Sequence, residues 1–82
     1  MDNLLVEVYV PSILQSFDIL IPRKAKMFEL LPLITTIISQ LSDGLFVAND
    51  AVLCDGNSGA IYSSNMSVSG MQLKNGSLLM LV

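Results

Sequence analysis

Histidine is absent from the chain, and cysteine occurs once, at Cys54. Without histidine the common metal-site patterns cannot be assembled, and a lone cysteine has no partner for an intramolecular disulfide. The same absence removes the usual base for an activated serine or cysteine nucleophile. The acids that remain are scattered, and Asp18, Asp50 and Asp55 read more simply as solubilising or turn residues than as a carboxylate site. The sequence therefore predicts no catalysis, no metal and no cofactor. Cys54 is expected to be a reduced, packed strand residue.

Charge is scarce as well. Charged residues make up 13% of the chain and hydrophobic residues 52%, so a core can be buried and apolar surface will be left over. The net charge of −3 argues against non-specific binding to nucleic acid, which draws its affinity from phosphates neutralised by Lys and Arg. Three of the four positive residues, Arg23, Lys24 and Lys26, stand together. They make either a solvated loop or a contact for an acidic partner or a lipid head group. The first residues are acidic, and no basic region precedes an apolar stretch, so no secretion signal is read. The longest apolar run, residues 30–38, is broken by Pro32 and by Thr35 and Thr36, and it falls short of the roughly 18 residues needed to span a bilayer. No direct membrane insertion is expected, and the location expected is the cytoplasm.

With 82 residues, one small domain over 1–82 is expected, near the lower size limit for a core without disulfides or metal. Its two opening segments alternate. In 4–10, Val6, Val8 and Val10 share one face and Leu5, Glu7 and Tyr9 the other; in 16–21, Phe17, Ile19 and Ile21 face inward and Asp18 and Leu20 outward. Pro11 breaks the first strand and residues 11–15 make a hairpin loop; Pro22 ends the second. The period then changes, for Met27, Leu30, Ile34, Ile38 and Leu41 recur at steps of three and four, as on one face of a helix. Pro32 is awkward there, so that helix either begins close to Pro32 or is bent in its first turn. Asp43 and Gly44 form its stop.

Residues 45–50 connect to a short strand at 51–54, the turn formers of 55–59 follow, and 60–62 reads as a short return strand. Residues 63–67 are a polar loop, with Val68 and Met71 as core anchors beyond it, and Asn75-Gly76 turns the chain into five apolar residues, 78–82. A run that short and that apolar fits a strand in the middle of a sheet. The order β-β-α-β-(β)-β, with one helix across one face of a mixed four- to five-stranded sheet, is an α+β β-grasp. The expected core is Val6, Val8, Phe17, Ile19, Ile21, Leu30, Ile34, Ile38, Leu73, Leu79 and Leu81.

On these positions the chain resembles ubiquitin along nearly its whole length: the apolar hairpin set, the Met27, Leu30, Ile34 spacing, the Asp43-Gly44 stop, and Val68, Met71, Leu73, Leu79 and Leu81. A narrower resemblance lies in residues 28–34, Phe-Glu-Leu-Leu-Pro-Leu-Ile, and residues 66–79, Met-Ser-Val-Ser-Gly-Met-Gln-Leu-Lys-Asn-Gly-Ser-Leu-Leu. These look like the YukD/EsaB-type ubiquitin-like proteins that accompany the bacterial type VII (WXG-substrate) secretion machinery. A similar domain forms the cytosolic N-terminus of that machinery's EccD-type membrane component, and a proline inside the helix is common in the group. The resemblance implies a cytoplasmic, non-enzymatic accessory whose partners are components of that machinery, and it carries over no catalytic residues. The alternative is a generic ubiquitin-like adaptor or a module of another complex. The chain departs from ubiquitin at its end, Leu81-Val82, which has no flexible tail and no Gly-Gly; sulfur-carrier and conjugation roles are therefore not expected.

The surface expected to do the work is the sheet face turned away from the helix. Leu5, Tyr9, Leu20, Leu78, Met80 and Val82 fall there if Leu79 and Leu81 point inward, and the opposite register would expose Leu79 and Leu81 instead. So much exposed apolar area marks a binding face, unless loops or a second copy cover it. An apolar face next to an edge strand at 16–21 also invites self-association at high concentration, away from Glu7 and Asp18, whose like charges oppose a close stack.

Overall fold

A computed structural model describes residues 3–47 and 50–82 of the chain. The fold is a ubiquitin-like β-grasp: strands β1 (Asn3–Val10) and β2 (Gln15–Pro22), helix α1 (Met27–Leu41), then β3 (Leu53–Asp55) and β4 (Leu78–Leu81), with the sheet in the order β2-β1-β4-β3. The closing strand is central, parallel to β1 and antiparallel to β3, and β2 is an edge. The hairpin pairs in unbroken register from Asn3 with Pro22 to Val10 with Gln15. Its loop contains a 3-10 turn, Pro11–Ile13, closed by the Leu14 N–H donating back to the Pro11 carbonyl at 3.2 Å, and Leu14 itself takes a left-handed conformation.

Alternation puts Leu4, Val6, Val8 and Val10 under the helix together with Ile19 and Ile21. Helical periodicity meets them with Met27, Leu30, Ile34 and Ile38, and β4 adds Leu79 and Leu81, which are fully buried. That settles the register of the last strand, with Leu78 and Met80 on the far face. Val68 and Met71 are buried anchors, as expected, and Cys54 is a free, buried thiol. Two members of the expected core sit at its margin. Phe17 is half-buried at the hairpin-loop end of β2, whereas Ile19 and Ile21 further along the same strand are buried, and Leu73 is half-buried because Met71 takes the inner position of that loop. Phe46 is buried in a connector where no periodic signal marks it, fixed by a hydrogen bond from its N–H to Ser42 Oγ at 3.1 Å. Within the connector, Ala48 and Asn49 lie outside the described residues.

Of the two expectations for Pro32, a helix start close to it is excluded. The helix begins five residues earlier, at Met27, and contains the proline. Losing one main-chain bond costs about 3 kcal/mol in an ordinary helix interior, but here the first turn is held from outside. The N–H of Met27 donates to the Met66 carbonyl at 2.8 Å and that of Phe28 to the Ser64 carbonyl at 3.2 Å. Glu29 Oε1 accepts from the Lys26 N–H at 3.1 Å. Pro32 itself faces solvent, and its carbonyl accepts the hydroxyls of Thr35 and Thr36 at 3.0 and 2.9 Å. The C-terminal stop is as read: Asp43 and Gly44 both have positive φ, and the Gly44 N–H donates to the Ser39 carbonyl at 2.9 Å.

The expected strand at 51–54 is realised over Leu53–Asp55, although Val52 and Val82 extend the ladder by exchanging both main-chain bonds, at 2.8 and 2.9 Å. The return strand at 60–62 shrinks to one bridge, Ile61 with Cys54. Among the described residues, no helix is long and apolar enough to cross a membrane.

Two substitutions test this packing. Ile34→Ala deletes a fully buried side chain from the helix–sheet contact and should cost about 2–5 kcal/mol, a large share of the stability of a small domain; a loss under about 1 kcal/mol in urea denaturation would show that this helix face is not the packed one. Gly56→Ala should destabilise by about 1–3 kcal/mol, because a Cβ there would lie 2.9 Å from the Leu78 carbonyl oxygen and overlap the Leu78 side chain. An unchanged melting temperature would refute that close approach.

Candidate interaction surface

One helix covers one face of the sheet, and the residues of the other face follow from the register. Leu5 stands directly opposite Leu20, Glu7 opposite Asp18 and Tyr9 opposite Ser16. On the other side of β1, Leu78 lies beside Glu7 and Met80 beside Tyr9, and Met80 in turn faces Cys54. All six apolar residues expected on this face are there, but they are not equally open. Leu5, Leu20 and Val82 are 45%, 60% and 52% exposed, whereas Tyr9, Leu78 and Met80 are half-buried. Gly56 approaches Leu78 closely, and the Ile61 bridge closes the sheet over Cys54. The open part of the face is therefore its β2–β1 half and the end of β4.

The basic residues lie elsewhere. Arg23 and Lys24 form the turn after β2 and Lys26 caps the helix, all three with exposed side chains. That corner is anchored by the 64–68 segment, through a Lys26–Ser67 bridge and the Val68 N–H donating to the Ala25 carbonyl at 2.9 Å. Sequence reasoning passed over Phe28, 56% exposed on the first turn of the helix beside Lys26. Its place off the buried helical stripe was the available signal.

A shallow cleft of about 560 Å³ runs between the 55–60 turn and the 71–78 segment, lined by Asp55, Tyr62, Leu73 and Lys74 among others. Its ionisable groups are structural. The Ser58 hydroxyl donates to Asp55 Oδ2 at 2.7 Å and the Ser58 N–H to the same oxygen at 3.1 Å, which holds the Asp55 carboxyl below the usual carboxylate range. Burial, followed by the nearby Asp55 charge, pushes the Tyr62 phenol up. Asp55 caps its own turn, and Tyr62 is a poorer acid than a free phenol; together they make no nucleophile–base pair.

No family model matches the chain, and no curated protein matches it in sequence. Solved structures do match in fold. The ubiquitin-like domain of the Mycobacterium tuberculosis type VII secretion system protein EccD1 aligns with a TM-score of 0.78 at 17% identity, over 100% of this chain and 99% of that one. A chain of a toluene 4-monooxygenase complex aligns with a TM-score of 0.74 at 10% identity, over 98% and 96%. A chain of the ESX-5 inner membrane complex aligns with a TM-score of 0.74 at 17% identity; all of this chain matches 21% of that one. At such identities the likeness is one of fold, shared by ubiquitin-like domains of secretion proteins and by a component of an oxygenase.

Proposed function

We propose that the chain is a non-catalytic, ubiquitin-like binding module of a bacterial type VII secretion system, of the YukD/EsaB type, working in the cytoplasm. It acts by docking components of that machinery on the outer sheet face, through Leu5, Tyr9, Leu20, Leu78, Met80 and Val82. The observation that carries the reading is the Leu5–Leu20 pair: two large, exposed apolar side chains directly opposite one another, on the same face as Tyr9 and Met80. A small monomer gains nothing from displaying them to water, whereas an interface core is made of such residues. Fold similarity to secretion-system domains, one of them within an inner membrane complex, supports the choice of pathway. Arg23, Lys24 and Lys26 form a second, smaller contact for an acidic partner surface, with exposed Phe28 beside them.

The test is recovery of identified type VII membrane-complex proteins with the tagged chain from its own cell. The wild type should recover them, and Leu5→Ser/Leu20→Ser should recover at least tenfold less while melting at nearly the same temperature. Wild-type recovery without any type VII component, or equal recovery by the variant, would refute the proposal.

A further inference from the structure

We infer that the outer sheet face is built for a partner that brings a lysine or arginine set between apolar side chains, with Glu7 and Asp18 as the groups that receive the cation. This rests on the reading of the face as a docking surface, and it names the chemistry of what docks there.

Glu7 and Asp18 are directly opposite on adjacent strands, and both are exposed. The kind of opposition they make follows from the far side of β1. The Glu7 N–H donates to the Ser77 carbonyl at 2.9 Å, the Leu5 N–H to Asn75 Oδ1 at 2.9 Å, and the Leu5 carbonyl accepts from the Gly76 N–H at 2.8 Å. The odd-numbered residues of β1 thus spend their main-chain groups toward β4, which leaves the even-numbered ones to bond β2. Glu7–Asp18 and Leu5–Leu20 are therefore the non-hydrogen-bonded pairs of the ladder, whose Cα atoms come to about 4.5 Å and whose side chains lie closest. Two carboxylates in that position repel each other.

The strands do not supply a countercharge, since none of the four contains a lysine or an arginine. Positive residues are placed in the turn after β2, at the helix cap and at Lys74 in the loop before β4. The carboxylate pair is moreover flanked by apolar rows, Leu5 with Leu20 on one side and Tyr9 with Met80 on the other. Each row lies about 7 Å along the strands, two residues' rise. An apolar partner alone would seal two like charges away from water, which is costly. A partner whose Lys or Arg enters between them removes the repulsion, while its apolar neighbours cover the rows. The spacing suits alternate residues of an extended segment, or a cation and an apolar residue four apart on a helix. A second copy meeting this face with its own outer face fits poorly, because it would bring a second Glu7 and Asp18 and no strand cation.

Two synthetic peptides provide the test: a serine-rich decapeptide with one arginine flanked at i−2 and i+2 by leucine, and the same peptide with glutamate for arginine. Titrated into isotope-labelled protein, the arginine peptide should shift Leu5, Glu7, Asp18 and Leu20 resonances and the glutamate peptide should not. Binding should weaken at least fivefold in 0.5 M salt, and likewise in Glu7→Gln/Asp18→Asn, a variant that should itself melt higher than wild type because the repulsion is gone. The inference is overturned by no response to the arginine peptide, by equal response to both peptides or by equal affinity in the variant. It is also overturned if these resonances shift with protein concentration alone, which would make a second copy the occupant. If Leu5→Ser/Leu20→Ser loses the secretion components while Glu7→Gln/Asp18→Asn keeps them, the face docks a partner and only the cation inference falls. If the peptide results hold and no secretion component is recovered, the cation inference stands and the pathway reading falls.

Discussion

One helix can cover one face of a sheet, and the whole arrangement depends on that limit. α1 covers one face of the sheet, and Val6, Val8, Leu79 and Leu81 are buried beneath it against Ile34 of its own apolar stripe. The parallel pairing of β1 with β4 cannot be closed by a hairpin, so the chain between them must cross over, and it does so through β2, the helix and β3. The crossover also secures the helix: the 64–68 segment that returns toward β4 takes up the first N–H groups of α1. Sheet, helix start and loop are therefore one hydrogen-bonded unit, and Pro32 is tolerated within it because neither the buried stripe nor the first turn relies on the bond the proline removes.

Much of this was legible as periodicity. Alternation in the two opening strands and the three-and-four spacing from Met27 to Ile38 identify the buried faces, and the short apolar run at the end identifies the central strand. What periodicity does not carry is the degree of cover. Phe17 shares the parity of Ile19 and Ile21 on β2, yet at the loop end of that strand it is only half-buried while they are buried. Ile61 reads as a strand residue and is held by one bridge, leaving it 69% exposed. Pro32 misleads in the other direction, because a local penalty is outweighed by tertiary bonds from residues more than thirty positions away.

The candidate surface shows the same division. Parity alone assigns Leu5, Tyr9, Leu20, Leu78, Met80 and Val82 to the far face, and the register agrees. Which of them are open to a partner depends on Gly56 packing over Leu78 and on the turn that closes beside Cys54, contacts between segments that no local pattern announces. The charge arrangement is also a product of register: Glu7 and Asp18 are eleven residues apart in the chain and become a pair only when the hairpin closes as it does. On an apolar surface, two opposed carboxylates without a strand cation disfavour the approach of another acidic surface, the same face of an identical copy included.

In the free protein the outer face is apolar and open along its β2–β1 half and at the end of β4. Relaxation of methyl resonances by a soluble paramagnetic agent at low protein concentration measures this residue by residue. Leu5, Leu20 and Val82 methyls should relax strongly and those of Ile34, Leu79 and Leu81 almost not at all. Leu5 and Leu20 methyls as protected as those of Leu79 would contradict an open face.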